Sequence, residues 1–132
     1  MAEANQRGWT TVGDTLTWLK LGIQASCERW GVPSASAASF AASATLGSNP
    51  METIAMAKWT DMFLQGYEAW AEWRRFDFPV LSPPAAAITG TGVPVRNGYG
   101  GLVPTQNKAS YDAAVAAQGP DNQDTKLWWD TK

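Results

Sequence analysis

Apolar residues recur every three or four positions along two long stretches of the chain, and this spacing constrains the fold more than any other feature. The first repeat comprises Val12, Leu16, Leu19, Ile23, Cys27 and Trp30. Residues at this spacing share one face of an α-helix, so the pattern predicts an amphipathic helix from Thr15 to Trp30. Asp14 is the expected N-cap, and Gly31 followed by Pro33 is a typical stop.

The second stretch begins with a capping-box pattern. Asn49 can cap a helix, Pro50 suits the first helical position, and Glu52 follows three residues after the cap. We predict one continuous helix from there to Arg75. Its apolar face would carry Ala55, Trp59, Met62, Phe63, Gly66, Tyr67, Trp70 and Trp73. A mid-helix glycine is destabilising, so we expect another backbone to approach closely at Gly66.

The remaining segments are shorter or irregular. Residues 34–46 are rich in Ser and Ala, which favours a short helix, with a flexible linker as the alternative. Residues 79–106 are rich in Pro and Gly and should form an ordered loop, with at most short extended pieces, that leans on other protein. A last helix is expected over 108–118 with Asn107 as its cap, and the tail 122–132 should dock onto the body through Trp128 and Trp129.

These elements predict an all-α fold. Two long amphipathic helices joined by a short one fit a helical hairpin of the tetratricopeptide type. A long Pro/Gly-rich loop and a docked C-terminal tail complete the predicted architecture.

Composition argues against several classes of function. The formal net charge is −2 with no basic patch, so we expect no nucleic-acid partner. Because the chain has no His and a single Cys, we predict neither a zinc cluster nor a metal site, and we predict no cofactor. No apolar segment approaches the roughly 20 residues of a membrane span, and residues 1–9 contain no signal-peptide core.

Aromatic residues are the first candidates for ligand contact, because the chain holds 8 Trp. Trp59, Trp70 and Trp73 could form a platform for sugar stacking, with Trp73 the best candidate for exposure. Their spacing also matches a core stripe, which we favour. Trp128 and Trp129 could likewise bind ligand, although docking of the chain end is the favoured role.

The charged residues offer two further candidate sites. Arg74 and Arg75 could clamp an anion, but we favour interaction with the helix C-terminus and with acidic neighbours. Paired carboxylates can catalyse glycoside hydrolysis. The acidic residues of the second predicted helix and its end should instead lie in water, where nothing shifts their pKa. The carboxylates concerned are Asp61, Glu68, Glu72 and Asp77. Cys27 lies on the apolar stripe and should be a small buried hydrophobe. We therefore predict no catalytic residue and assign no ligand-binding residue.

Several strings, in order along nearly the whole chain, carry a family resemblance. They include LGIQAS at 21–26, WGV at 30–32, IAMAKW at 54–59, EAW at 68–70, WRR at 73–75, PVR at 94–96 and TKLWWD at 125–130. Together they resemble the C-terminal region of SusD/RagB-like proteins, especially the SusD-like lipoprotein subfamily. The chain departs from the usual family pattern at 76–78, where Phe-Asp-Phe precedes the proline.

The resemblance implies an outer-membrane lipoprotein that binds glycans or other nutrients for a SusC-type TonB-dependent transporter, without catalysis. It also implies that residues 1–132 are the C-terminal portion of a longer, mostly helical protein whose signal peptide and lipidation cysteine lie upstream. A small stand-alone helical module that binds a protein partner is the alternative.

Overall fold

The computed structural model describes residues 1–87 and 92–130 of the chain. Within these ranges all regular structure is helical. The helices are α1 (Ala2–Gln6), α2 (Thr15–Arg29), α3 (Ser34–Ala42), α4 (Pro50–Asp61), α5 (Gly66–Phe76), α6 (Val103–Gln106) and α7 (Lys108–Gln118). The all-α prediction is therefore confirmed. The chain divides into two compact units, Met1–Pro79 and Val80–Lys132.

In the first unit, two pairs of contacting helices follow each other, which fits the predicted tetratricopeptide-like scaffold. Helix α2 packs on α3 and α4 packs on α5, while α1 contacts both α2 and α4. The caps are those that the sequence indicates. The side chain of Asp14 accepts from the backbone N–H of Thr17 at 3.0 Å, and that of Asn49 accepts from the N–H of Glu52 at 3.3 Å. These bonds satisfy amide groups that the first turn of a helix leaves open.

The prediction of one helix from 50 to 75 is wrong. Helix α4 ends at Asp61, a turn follows, and α5 begins at Gly66. The turn is closed by the N–H of Gln65, which donates to the carbonyl of Met62 at 2.8 Å, and Leu64 adopts a positive φ of 67°. The break lets the second half of the stretch fold back on the first, so that two apolar faces bury each other.

Gly66 does not mark a close backbone contact, contrary to our expectation. It is the first residue of α5, and a Cβ added to it would meet nothing within 4 Å. Because the first turn of a helix tolerates glycine better than the middle does, the penalty assumed for a helix interior does not apply in full here.

The core of the first unit is small and rich in alanine. The buried apolar residues of the described chain are Leu19, Ala37, Ala41, Ile54, Ala55, Ala69 and Phe76. Two of the alanines lie on α3, which confirms the helix expected within 34–46 and overturns the linker alternative. Alanine lets helices approach closely, but each one removes little apolar surface from water. Much of the apolar surface of this unit is therefore left outside the core.

The second unit contains α6, α7 and the segments around them. Helix α7 has the predicted bounds, but the Asn107 side chain makes no cap hydrogen bond, contrary to prediction. Asn107 also ends α6, and its backbone N–H donates to the carbonyl of Val103 at 2.9 Å. As the C-cap of α6, Asn107 has φ −138° and ψ 49°, which is not a helical conformation. Residues 79–106 were expected to form a loop with at most short extended pieces. The presence of helix α6 in this range shows that this expectation was wrong.

Candidate functional site

Glu3 is the centre of an ion-pair network that joins three helices of the first unit. Both of its carboxylate oxygens accept from the guanidinium of Arg75, with Nη2 to Oε2 at 2.6 Å. Lys58 Nζ lies 3.2 Å from Oε2, and Arg7 Nε lies 2.8 Å from Oε1. Only 12% of the Glu3 side chain is exposed. The bidentate, charge-assisted pair with Arg75 ties α1 to α5, and the contact with Lys58 ties α1 to α4.

Glu72 extends the same network. Its carboxylate lies 2.6 Å from Lys58 Nζ and 2.8 Å from Arg75 Nη2. The cations also lie over the buried ring of Phe76, with Arg75 at 4.4 Å and Lys58 at 5.1 Å from the ring centroid. Charge and aromatic packing therefore stabilise the same corner of the unit.

The network keeps its acids ionised. The hydrogen bond from Arg75 lowers the pKa of Glu3 to about 2, against the opposing effect of burial. Burial alone would raise the pKa of Glu72, but hydrogen bonds from Arg75 and Lys58 outweigh it and the pKa is lowered. A glycosidase acid needs the opposite change, a raised pKa that keeps its proton near neutral pH. This arrangement suits structural pairing and does not supply a general acid.

The four carboxylates considered from the sequence are not brought together as a catalytic pair. Asp61 pairs with Arg29 at 2.8 Å, and Glu72 belongs to the Glu3 network. Glu68 and Asp77 are exposed, and Asp77 is the left-handed C-cap of α5. The expectation of a wholly solvated, unperturbed set is wrong for Glu72. The Glu72–Arg75 pair spans three residues and is visible in the sequence, whereas Lys58 and Glu3 reach this network only through the packing of helices.

The three tryptophans proposed as a stacking platform lie on two helices. Trp59 belongs to α4, while Trp70 and Trp73 belong to α5, and all three are half-buried. The indole N–H of Trp73 donates to the Pro79 carbonyl at 3.0 Å, so its exposure was over-predicted. Arg74 lies over the Trp70 ring at 4.0 Å. These contacts indicate packing within the unit, as favoured from the sequence.

Exposed aromatic residues occur elsewhere, at the end of α2 and in the turn between α4 and α5. The rings of Trp30 and Phe63 lie 6.1 Å apart, and 52% and 66% of these residues are exposed. Leu64 and Tyr67 beside them are exposed as well. A patch of this kind on a soluble protein usually marks a contact surface.

A groove lies between α2 and α4 in the first unit, and we call it the α2–α4 groove. It has a volume of about 500 Å³ and is open on one side. Its walls are mostly apolar and come from the start of the chain, α2, Phe40 and α4. Cys27 lies on the groove wall and is half-buried, so the prediction of a small buried hydrophobe at this position is corrected. The apolar stripe of α2 therefore faces a groove as well as the core.

Asp121 organises the second unit. It accepts from Arg96 Nη2 at 3.1 Å, from the backbone N–H of Tyr99 at 3.1 Å and from the hydroxyl of Tyr111 at 3.3 Å. Arg96 is 5% exposed. The N–H of Val95 also donates to the carbonyl of Gln123 at 2.9 Å. The loop segment 94–99, α7 and the start of the tail are thus held together around one carboxylate.

The tail is docked at its start, where Asp121 directly precedes it and Gln123 lies within it. Asp121 and Gln123 make the contacts just described, while 86% of Trp128 is exposed. Trp129 is 38% exposed. Positions 131 and 132 of the predicted tail lie outside the described residues. Asp121 was missed because a lone aspartate beside Gly and Pro reads as a turn residue.

Metal and membrane sites were also sought in the described part of the chain. No group of three or more His, Cys, Asp or Glu residues there is arranged to hold a metal ion. None of the described helices has the combined length and apolar character that a bilayer crossing demands.

Comparisons with known proteins agree on one family. Residues 1–100 match the SusD-like family described as "Starch-binding associating with outer membrane". No curated protein sequence matches the chain.

Solved structures match nearly the whole chain. A chitin-binding protein aligns over 99% of it with a TM-score of 0.85 and 29% sequence identity. A SusD-like structure of Bacteroidetes AC2a aligns over 99% with a TM-score of 0.84 and 27% identity. A chitin-binding SusD homolog from Flavobacterium johnsoniae aligns over 99% with a TM-score of 0.79 and 25% identity. The chain spans only 31%, 28% and 34% of the lengths of these three proteins.

Proposed function

Because the chain belongs to the SusD-like family, we propose that it is part of a glycan-binding protein associated with the outer membrane, which captures a polysaccharide or its fragments without cleaving them. The family match over residues 1–100 carries this proposal. Two of the structures similar to the chain are of chitin-binding proteins, which makes chitin and starch the first glycans to examine.

The proposal includes the position of the chain within a longer protein. We propose that residues 1–132 are the C-terminal portion of a SusD-like domain, with the signal peptide and lipid-bearing cysteine in preceding polypeptide. The lengths of the similar structures support this, since the chain spans only 28% to 34% of each. The small core and the exposed aromatic residues also suit a portion of a larger fold better than a stand-alone module.

A transporter partner follows from the family resemblance. We propose that the full protein delivers its glycan to a SusC-like TonB-dependent transporter of the outer membrane. Pairing of the acids within the Glu3 network, at lowered pKa, supports a role in binding and not in bond cleavage.

Retention on insoluble polysaccharide tests the proposed activity. The protein expressed from its complete reading frame should be retained on chitin or starch, and soluble fragments of the same glycan should release it. Chromatography of the supernatant should show no new sugar products over time. If neither chitin nor starch retains the protein, the glycan assignment is contradicted. Accumulation of sugar products would contradict the non-catalytic role.

A transporter complex is a separate question that needs a separate measurement. Affinity purification of the full protein from outer membranes should recover a large TonB-dependent β-barrel. Recovery of the protein alone from gently solubilised membranes would oppose the hand-over step while leaving glycan binding intact.

A further inference from the structure

The α2–α4 groove is left open by the side chains of its own unit. Phe40 at its edge is 64% exposed and Met56 is 39% exposed, although both are large apolar residues. Leaving apolar surface in water is unfavourable in proportion to its area. Exposed apolar surface of this kind typically marks a site of contact with another polypeptide segment or a ligand.

The charges at the groove do not favour a sugar as that occupant. Glu3 and Lys58 pair with each other, and Asp61 pairs with Arg29. Sugar recognition depends on polar groups that converge on the hydroxyls. In this groove the charged side chains at the rim already pair with one another or with Arg29, and the walls between them are apolar. Such a surface favours the binding of apolar side chains.

We propose that this groove is the docking site for an apolar segment of the remaining SusD-like polypeptide, the two thirds of such a chain that residues 1–132 do not match. The inference rests on the proposal that the chain is part of a longer protein. The similar structures are about three times as long, so each has polypeptide available to cover this face. Met1 also lines the groove, so any residues joined before it would leave from this site.

Gly22 offers a test in which the expected effect changes sign. It lies within α2 on the groove wall, and a Cβ added there would meet nothing within 4 Å. In the 132-residue chain, Gly22→Leu should raise the melting temperature by about 4 °C, because leucine is the better helix former. In the longer chain encoded by the complete reading frame, the same leucine would stand where the segment docks. The melting temperature should therefore fall.

Glu28→Leu is the matched control. It adds the same side chain to the exposed surface of α2 outside the groove lining. Its effect should be small and should have the same sign in both chains. A rise in melting temperature for Gly22→Leu in both chains would overturn the proposal.

The thiol of Cys27 gives a second readout that needs no cooperative melting. A maleimide pulse, followed by mass spectrometry of tryptic peptide 21–29, should label Cys27 readily in the 132-residue chain. In the longer chain the rate should fall by about tenfold, because labelling would require local opening. A Ser36→Cys reporter on the exposed face of α3, outside the groove lining and read in peptide 30–58, should react similarly in both chains.

Three results would contradict docking of the longer chain: equal labelling of Cys27 in both chains, loss of labelling in the short chain as its concentration rises, and a stop codon directly upstream of Met1. The second would identify another copy of the chain as the occupant. Protection of Cys27 without retention on any glycan would uphold the docking site and reject only the glycan assignment. Retention on a glycan without protection of Cys27 would uphold the glycan assignment and reject the docking site.

Discussion

Glu3 lies where cations from three helical segments converge. Its partners Arg7, Lys58 and Arg75 are brought together by α1, α4 and α5. A carboxylate that accepts from several cations is stabilised in its charged form. The residue therefore links folding of the first unit to pH.

Replacing Glu3 with glutamine should lower the free energy of unfolding by about 2 kcal/mol at neutral pH, because partly buried cations lose a charged acceptor. The unfolded chain protonates Glu3 near the ordinary pKa of 4.5, whereas the folded chain does so only at about 2. The unfolded state therefore binds more protons in this window, and the Glu3 contribution is lost as the pH falls through it. Thermal unfolding of both proteins across the window measures this.

The outcome that would contradict this role is a constant difference in stability between the two proteins from neutral pH down to the lower limit of that window. Arg7→Gln is a useful comparison. Arg7 is 30% exposed and contributes only one contact to Glu3, so its loss should cost less.

Asp121 has a comparable position in the second unit. Asp121→Ala should cost at least about 3 kcal/mol locally, because it leaves the buried Arg96 without its carboxylate. Hydrogen exchange of the amides in 92–130 would report this as faster exchange. Asp112→Ala is the control, since Asp112 and Lys108 form an exposed pair worth little. Equal effects of the two substitutions would reject a special role for Asp121.

At the scale of elements, the two asparagine caps differ although they look alike in the sequence. Asn49 accepts from the N–H of Glu52 and donates to its carboxylate, whereas the Asn107 side chain makes no cap bond. An N-cap is worth about 1 kcal/mol only when its side chain bonds the first turn.

Asn49→Ala should therefore lower the free energy of unfolding by about 1 kcal/mol, while Asn107→Ala should change it by less than about 0.5 kcal/mol. Chemical denaturation monitored by circular dichroism distinguishes these values. A larger effect at Asn107 than at Asn49 would refute the assignment of the caps.

The break between α4 and α5 shows why element boundaries were the weakest part of the sequence prediction. The apolar spacing continues through Met62 and Phe63 as though the helix did. Leu64 nevertheless adopts a left-handed conformation that single residues other than glycine rarely take. Packing of α5 back onto α4 compensates for this local strain. The helix propensities of the residues around Leu64 do not predict the turn.

At the scale of the whole molecule, large apolar side chains of residues 1–87 and 92–130 are more often exposed than buried. Trp30 and Phe63 are exposed, whereas Phe76 is 4% exposed. The proposal that residues 1–132 are part of a longer protein accounts for this exposure, because the remaining polypeptide would cover some of these side chains.

Replacing Trp30 and Phe63 together by serine should reduce aggregation of the 132-residue chain and leave its helical content nearly unchanged. The exposed pair contributes little to its own unit's core. Light scattering and circular dichroism measure the two effects. Phe76→Ser is the control and should unfold the first unit, at a cost of about 3 kcal/mol or more. Loss of helix in the double variant would show that the pair belongs to the core.

The sequence alone was sufficient for the all-α class, the bounds of α7, those of α2 to within one residue, the caps of α2 and α4 and the family resemblance, because these depend on short-range patterns. Only the tertiary structure revealed the Glu3 network, the Asp121 cluster and the groove beside Cys27. Most of their members lie far apart along the chain and meet only after the elements that carry them pack together. The burial of each tryptophan was decided in the same way, since helical spacing shows which residues share a face but not what covers that face.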